Sequence, residues 1–260
     1  MTRHDAREDQ SPQPSTGDPP KHRFYAHALP KPNADHRLPL EITLDPEESR
    51  HARRALRLQP GDRIELIDGS GTLATATLTD TSQHEVTARI DKVIDVQKSA
   101  PSICIASAVP KGPRVEAMID QLVQVGADSW TPLTTEHAVV QPTAKPRPRH
   151  ERRALAALKQ SRRTHALAIH APATTADLCH WTQPLRLLAD TTDAEPGPTS
   201  ADLTRMADIA VAIGPEAGWS DRERQQLIDA GWQPWSLGPH VMRIETAAPA
   251  AAAILRYLSG

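Results

Sequence analysis

Apolar residues change their spacing twice along this chain, and the changes divide it into three parts. Residues 1–21 carry Pro, Asp, Gln and Ser without an apolar period, so a disordered tail is expected. Residues 22–98 show short alternating runs. Leu38, Leu40, Ile42 and Leu44 alternate, Ile64-Glu65-Leu66-Ile67 runs into the turn Asp68-Gly69-Ser70-Gly71, and two strands are predicted over Leu73–Leu78 and Val86–Val93. One helix interrupts them. Asp45 suits a cap, Pro46 the first helical position and Glu48 the third residue after the cap, which predicts a helix to about Leu58, stopped by Pro60-Gly61. Short antiparallel strands with one helix point to a small β-barrel.

The pattern changes again near residue 100. Ile103–Val109 is a continuous apolar run, the mark of a buried strand, and Val115, Met118, Ile119, Leu122 and Val125 follow at helical spacing up to Gly126. A strand is expected near Trp130–Leu133, a helix from about His150 to Arg163, and strands over Leu185–Ala189 and Ile209–Ile213. The polar stretch Asp190–Thr204 reads as a loop. Strands alternating with helices predict an α/β fold with a largely parallel sheet across 99–260.

Composition narrows the class. Thirty Lys and Arg against thirty-two Asp and Glu leave a net charge of −2, which argues against a protein that coats nucleic acid unspecifically but not against a local basic face. No apolar run is long enough to span a bilayer, and the N-terminus lacks the apolar stretch of a secretory signal, so a cytoplasmic protein with no membrane partner is expected. Cys104 and Cys179 form no framework and read as reduced core residues. Twelve scattered histidines match no metal-binding spacing, so no metal is expected.

Two segments carry candidate chemistry. In the first, the apolar run Ile209–Ile213 enters Gly214-Pro215-Glu216-Ala217-Gly218-Trp219, and Ser220 with Glu223 forms a capping box for the next helix, closed by Gly231. Glycines allow close backbone approach to a ligand, helix-start amides suit a polar group, and Glu216 could accept from a ribose or amine. The same spacing also suits an ordinary strand–turn–helix corner, and it is not the G-x-G-x-x-G of dinucleotide folds. In the second, Leu237-Gly238-Pro239-His240-Val241-Met242 precedes Arg243, Glu245 and Thr246 at the head of an Ala-rich helix. Thr246 as a helix cap with a surface Arg/Glu pair accounts for that end, but not for two Gly-Pro turns at successive strand ends.

Together, IGPEAGWSDRE and LGPHVMRIETAA resemble the signature of the SPOUT methyltransferases, and most closely that of the RsmE family of small-subunit ribosomal RNA uracil-N3 methyltransferases. HRFYAH resembles that family's opening, and SRHARRALRLQPGDRIELIDGSG its first-domain pattern, so the resemblance covers residues 22–260. It implies a PUA-like RNA-binding β-barrel over 22–98, a SPOUT domain with a trefoil knot over 99–260, and a homodimer. It also implies S-adenosylmethionine held by Ile213, Gly214, Pro215, Glu216, Gly218, Leu237, Gly238, Val241, Met242 and Arg243, with Leu188 and Ala189 as a third contributor. The substrate would be small-subunit ribosomal RNA or the assembled 30S subunit. Arg243 is then expected to stabilise the uracil oxygens, and Glu245 to orient Arg243 or accept the N3 proton.

For RNA contact, Arg53, Arg54 and Arg57 are the first-domain candidates with Arg23; Arg50, Arg54 and Arg57 would share one helix face. Lys111, Arg114 and Arg163 are candidates in the second domain, although a charge run is more often a solvated face. Aromatic residues are scarce, which favours phosphate contacts over base stacking. Several positions depart from the family pattern. Ala217 replaces a glycine, His240 an arginine, Gln121 and Gln124 a Lys and a Glu, and Lys159 a Glu. Two other readings stay open: an RNA-binding or ribosome-assembly protein without catalysis, and a SPOUT enzyme for another RNA site, such as a transfer RNA ribose.

Overall fold

The computed structural model describes residues 20–32, 40–82, 85–143, 148–191 and 194–260. The expected tail up to residue 19 and the position Leu38 lie outside them.

Five strands form the first sheet: β1 (Arg23–Tyr25), β2 (Leu40–Thr43), β3 (Arg63–Ile67), β4 (Thr72–Thr81) and β5 (Val86–Asp95). Their order is β1-β3-β4-β5-β2. All pairs are antiparallel except β1 with β3, which run parallel, so the sheet is mixed rather than a plain antiparallel barrel. Alternation along each strand turns Phe24, Ile64, Leu66, Leu78 and Ile90 into one core.

The helix of this part is shorter than its pattern suggested. Asp45 caps α1 (Pro46–Arg50) by accepting from Glu48 N. The next turn, His51–Ala55, is π-helical, and Arg57 lies in the left-handed region at φ 55°. The left-handed backbone at Arg57 takes it off the helix, so Arg57 does not share the face expected for Arg50, Arg54 and Arg57. Glu48 does not close a capping box either; it is buried and pairs with Lys159.

The second sheet is parallel throughout. It contains β6 (Ser102–Ala108), β7 (Ser129–Thr134), β8 (Ala168–Ile169), β9 (Ala173–Thr174), β10 (Leu185–Ala189), β11 (Asp208–Ile213) and β12 (Gln233–Trp235). The order is β12-β10-β11-β6-β7-β8, with β9 also on β7. Central strands are buried on both faces, as parallel sheets require. Ile103, Ile105, Ile209 and Val211 pack in one core with α2 (Arg114–Gln124), α3 (Pro148–Gln160) and α7 (Ile244–Ser259). Ala106, Ala210 and Ala212 face the other core, with α4 (Thr175–Leu178) and α6 (Asp221–Asp229).

The stretch expected to be a loop over Asp190–Thr204 contains α5 (Ser200–Leu203), entered through a capping box of Thr199 and Asp202. Its earlier part borders β12: Glu195 N donates to Pro234 O at 3.2 Å and Ser236 N to Glu195 O at 3.0 Å. Strand β12 therefore lies between β10 and the Glu195 segment. Two short local signals made this region hard to read: a four-residue helix carries too little apolar period, and the bridge at Glu195 joins residues about forty apart.

The two sheets meet along residues 163–166. Ala166 N donates to Gly69 O at 2.9 Å, Gly71 N to Thr164 O at 3.1 Å, and Arg23 Nη1 to Arg163 O at 3.1 Å. Lys159 on α3 reaches Glu48 on α1 across the same boundary. The lysine that departs from the family pattern thus has its carboxylate partner in the first domain.

Candidate active site

Parallel pairing puts the carboxyl ends of β10, β11 and β12 side by side, with Ala189, Ile213 and Trp235 as their last residues. Open α/β sheets bind ligands at such an edge. The residues after β11 and β12 form a cleft of about 290 Å³ there, walled by residues 213–219 on one side and Leu237, Gly238, His240, Val241 and Met242 on the other. Ala189 and Asp190 close it from β10.

The first turn is held from several directions. Trp219 Nε1 donates to Ala189 O at 3.2 Å, and the indole lies so close to Gly214 that a Cβ there would stand 3.0 Å from the ring. Gly218 takes φ 78° and its N donates to Pro215 O at 2.9 Å. Ala217, which replaces a glycine of the family pattern, is not among the residues with positive φ, so its methyl is compatible with the turn. His137 Nδ1 lies 3.1 Å from Gly218 O.

Below the turn sits Glu223, 3% exposed on α6. Its Oε1 accepts from Glu136 N at 3.0 Å and Thr175 Oγ1 at 2.9 Å, and its Oε2 accepts from Ser220 N and Ser220 Oγ at 3.2 Å each. The expected capping box is present, and the same carboxylate also ties α6 to the segment after β7 and to α4. Ser220 and Arg222 in turn hold the Glu136 carboxyl below its ordinary range, Ser220 by the larger effect. Arg224 Nε donates to Asp190 Oδ2 at 2.6 Å, which fixes the rim beyond β10.

The second turn passes Gly238, at φ 135°, and leads into α7. This helix begins at Ile244, earlier than a Thr246 cap would allow. Arg243 occupies the cap position, and Thr246 N and Ala247 N both donate to Arg243 O. The Arg243 side chain is exposed beside the cleft. Glu245, 15% exposed, pairs with Arg114 rather than Arg243: Arg114 Nη1 donates to Glu245 Oε1 at 3.1 Å. Glu245 Oε2 is buried and has no hydrogen-bond partner among the described residues.

Of the expected cofactor contacts, Ala189, Ile213, Gly214, Pro215, Glu216, Gly218, Leu237, Gly238, Val241 and Met242 line the cleft. Leu188 is fully buried one residue below its floor, and Arg243 stands just outside the lining. Sequence reasoning missed Asp190, Thr191 and Trp219, which also line it. Trp219 stood inside the quoted motif, so its adjacency to Gly214 was the available signal.

The expected RNA contacts separate into two groups. Lys111 and Arg54 are exposed, as is Arg57. Arg53 is half-buried, with its Nε enclosed. Arg23 is instead committed internally, paired with Glu65 at 2.8 Å with both side chains nearly buried. Arg163 Nη1 donates to Val123 O and Ala127 O, and its guanidinium faces Asp128. Arg114 is paired with Glu245 at the head of α7.

Comparison with known proteins places this geometry. A family described as the RNA methyltransferase domain matches residues 97–256, and one described as the RNA methyltransferase PUA domain matches residues 44–91. The ribosomal RNA small subunit methyltransferase E of a Synechocystis strain is 32% identical over 223 residues, covering 84% of this chain and 73% of that protein. The chain belongs to the RsmE family. A Mycobacterium tuberculosis RsmE is 28% identical over 255 residues, 91% of each chain. Among solved structures, the RsmE of Neisseria gonorrhoeae bound to S-adenosylmethionine is 26% identical and superposes with a TM-score of 0.79, covering 91% of this chain and 97% of that one. A Legionella pneumophila methyltransferase solved with the same cofactor is 27% identical with a TM-score of 0.79 over 91% and 97%. The fold is thus that of the SPOUT methyltransferases with a PUA-like first domain.

The RsmE-type cofactor can be tested against the cleft itself. Nothing stands within 4 Å of where a Cβ would project at Gly218 or Gly238, so both turns offer bare backbone to a ligand. Apolar Leu237, Val241 and Met242 suit an adenine ring, and Glu216 and Asp190 supply acceptors for hydroxyls or an amine. The residues present fit S-adenosylmethionine.

Proposed function

We propose that this protein methylates N3 of a uracil in small-subunit ribosomal RNA, using S-adenosylmethionine, in the cytoplasm. The observation that carries the reading is the pairing of two glycine-bearing turns over one cleft at the ends of β10, β11 and β12, with Arg243 just outside its lining, in an RsmE-family chain. The RsmE relatives named above act, by their names, on small-subunit ribosomal RNA, and two solved relatives hold the cofactor.

When bound, S-adenosylmethionine supplies an electrophilic methyl group. The protein's tasks are to hold the donor, present uracil N3 in line with it and remove the N3 proton. The turns 213–218 and 237–242 hold the donor, and Val241, 85% exposed, leaves its side chain free to cover it. Arg243 stabilises the charge that spreads onto the uracil oxygens as the proton leaves. Glu245, fixed by Arg114 through Oε1, is the carboxylate assigned to accept that proton. Exposed Lys111, Arg54 and Arg57 supply phosphate contacts. Passage of β12 between β10 and the Glu195 segment supports a trefoil knot, with the chain running through the loop that joins β10 to β11. Exposed Val241, Ile254 and Tyr257 support pairing of two copies through α7 and the turn before it.

The test is a split between binding and turnover. Arg243→Ala and Glu245→Gln should each lower methyl transfer to small-subunit RNA by about a hundred-fold or more while calorimetry shows cofactor affinity unchanged. Full transfer in either variant removes that residue from the mechanism; loss of cofactor binding in both moves them into the cofactor site.

A further inference from the structure

A second cavity, of about 440 Å³, lies between the two domains at the amino ends of β6 and β7, the opposite end of the sheet from the cofactor cleft. It is walled by the approach to β6 (96–99), the turn before β7 (124–128), residues 162–165 and Arg256 of α7. Five cationic side chains face it: Arg23, Lys98, Arg162, Arg163 and Arg256. Three carboxylates oppose them. Glu65 is held by Arg23, Asp128 is buried under Arg163, Arg256 and Lys98, and Asp95 acts on His165 of the cavity wall. Positive charge therefore remains in excess inside a concave, partly desolvated space.

Burial lowers the Arg163 pKa against the opposing pull of Asp128, and Arg256 adds a smaller push in the same direction as burial. Burial lowers that of His165, and Lys98 and Arg163 add to the effect. A concave space lined by more cations than carboxylates focuses a positive potential that favours an anion. Three of the cations are fixed by protein: Arg23 by Glu65, Arg163 by backbone carbonyls, and Arg256 by Pro101 O, Gly126 O and Asp128. They form a rigid wall. The other two are accessible. Lys98 is 48% exposed and 3.5 Å from Asp128 Oδ1, and Arg162 is exposed with one hydrogen bond, to Pro20 O at 3.0 Å. Arg162 also sits in the left-handed region at φ 59°, just after α3 ends.

We propose that this interdomain cleft is a phosphate site for the RNA substrate, with Lys98 and Arg162 making the contacts and Arg163 and Arg256 setting the field. The proposal rests on the RNA-methylating reading and deepens it. Six to seven residues of strand separate the two ends of the sheet, about 20 Å at the usual rise. A phosphate held in the cleft anchors the RNA without touching the methylated base. Its contribution belongs to affinity and salt dependence, not to the chemical step.

The test uses full-length protein carrying Lys98→Gln and Arg162→Asn, the asparagine chosen because it tolerates a left-handed backbone. Affinity for a small-subunit RNA fragment is measured from low to high salt, together with kcat, KM for RNA and calorimetric affinity for S-adenosylmethionine. The expected result is an RNA affinity about ten-fold weaker at moderate salt and a salt slope shallower by about one per charge removed, with kcat and cofactor affinity unchanged. Unchanged RNA affinity and slope overturn the proposal. So does weaker binding to assembled subunits alone, which points to an acidic protein surface, or binding of inorganic phosphate that does not compete with RNA. If the double variant does not fold, Lys98→Gln alone carries the test with about half the change in slope. The RNA-methylating reading fails separately, by absence of transfer in the unaltered protein while RNA binding still reports on the cleft.

Discussion

Replacing Glu223 with Gln changes the side chain by one atom and should still loosen the cofactor turn. Four donors converge on the two carboxylate oxygens: Glu136 N and Thr175 Oγ1 on one, Ser220 N and Ser220 Oγ on the other. The two hydroxyls can rotate away, but the two backbone N–H groups cannot. Whichever way the carboxamide is turned, its NH2 faces one of them. One bond to a carboxylate is lost and one buried N–H is left without an acceptor, while the bonds to the remaining oxygen weaken. A bond to a charged acceptor contributes about 1.5–3 kcal/mol, so the variant should lose roughly 3 kcal/mol of stability. For a chain of this size that corresponds to a fall in Tm of roughly 6–12 °C. Thermal unfolding with and without S-adenosylmethionine measures both the loss and the shift on ligand binding. Cofactor affinity should fall too, because Ser220 ends the turn that walls the cleft. A Gln variant within about 0.5 kcal/mol of the parent, binding cofactor normally, would refute the view that this carboxylate organises the site.

Other positions give sharper separations. Gly214→Ala should weaken cofactor binding, since its methyl meets the Trp219 ring at 3.0 Å and either the turn or the indole must move; calorimetry with unchanged RNA affinity would show it. Arg114→Ala should lower kcat without changing cofactor affinity, because it removes the partner that fixes Glu245 Oε1, and Arg114→Lys should recover part of the loss. Asp177 and Asp202, hydrogen-bonded by Thr174 and Thr199 at the starts of α4 and α5, titrate below the ordinary carboxylate value. Their contribution is therefore complete above about pH 4 and is lost as pH falls through their lowered folded values. Hydrogen exchange in α4 and α5 should accelerate in that acid range and stay flat near neutrality; Asp177→Asn and Asp202→Asn should abolish the dependence.

What the sequence made legible follows from the range of the interactions involved. Strands β6, β10 and β11 and helices α2 and α6 announce themselves through apolar period and caps, all local signals. Both turns of the cleft were readable because Gly214, Pro215, Gly218 and Gly238 mark backbone geometry directly. The partner of Glu245 was not, since Arg114 lies 131 residues away and only packing of α2 against α7 brings them together. Separations of about forty residues hid the internal roles of Arg23 and Arg163, which as sequence are two more surface cations but in the fold hold Glu65 and Asp128. Lys159 shows the reverse case. It departs from the family pattern by reversing a charge, and the structure supplies Glu48, 111 residues away, as its partner. A π-helical turn after α1 was equally out of reach, because its spacing differs from an α-helix by one residue in a short segment.

The central claim is the chemistry at one atom of one base, and the most direct measurement is the fate of a labelled methyl group. Small subunits lacking the modification are incubated with the protein and methyl-labelled S-adenosylmethionine, and the ribosomal RNA is digested to nucleosides and separated. The account predicts label in 3-methyluridine, with none when Arg243 is replaced by Ala. Label in a ribose-methylated nucleoside, or cofactor binding with no transfer to RNA, would contradict it.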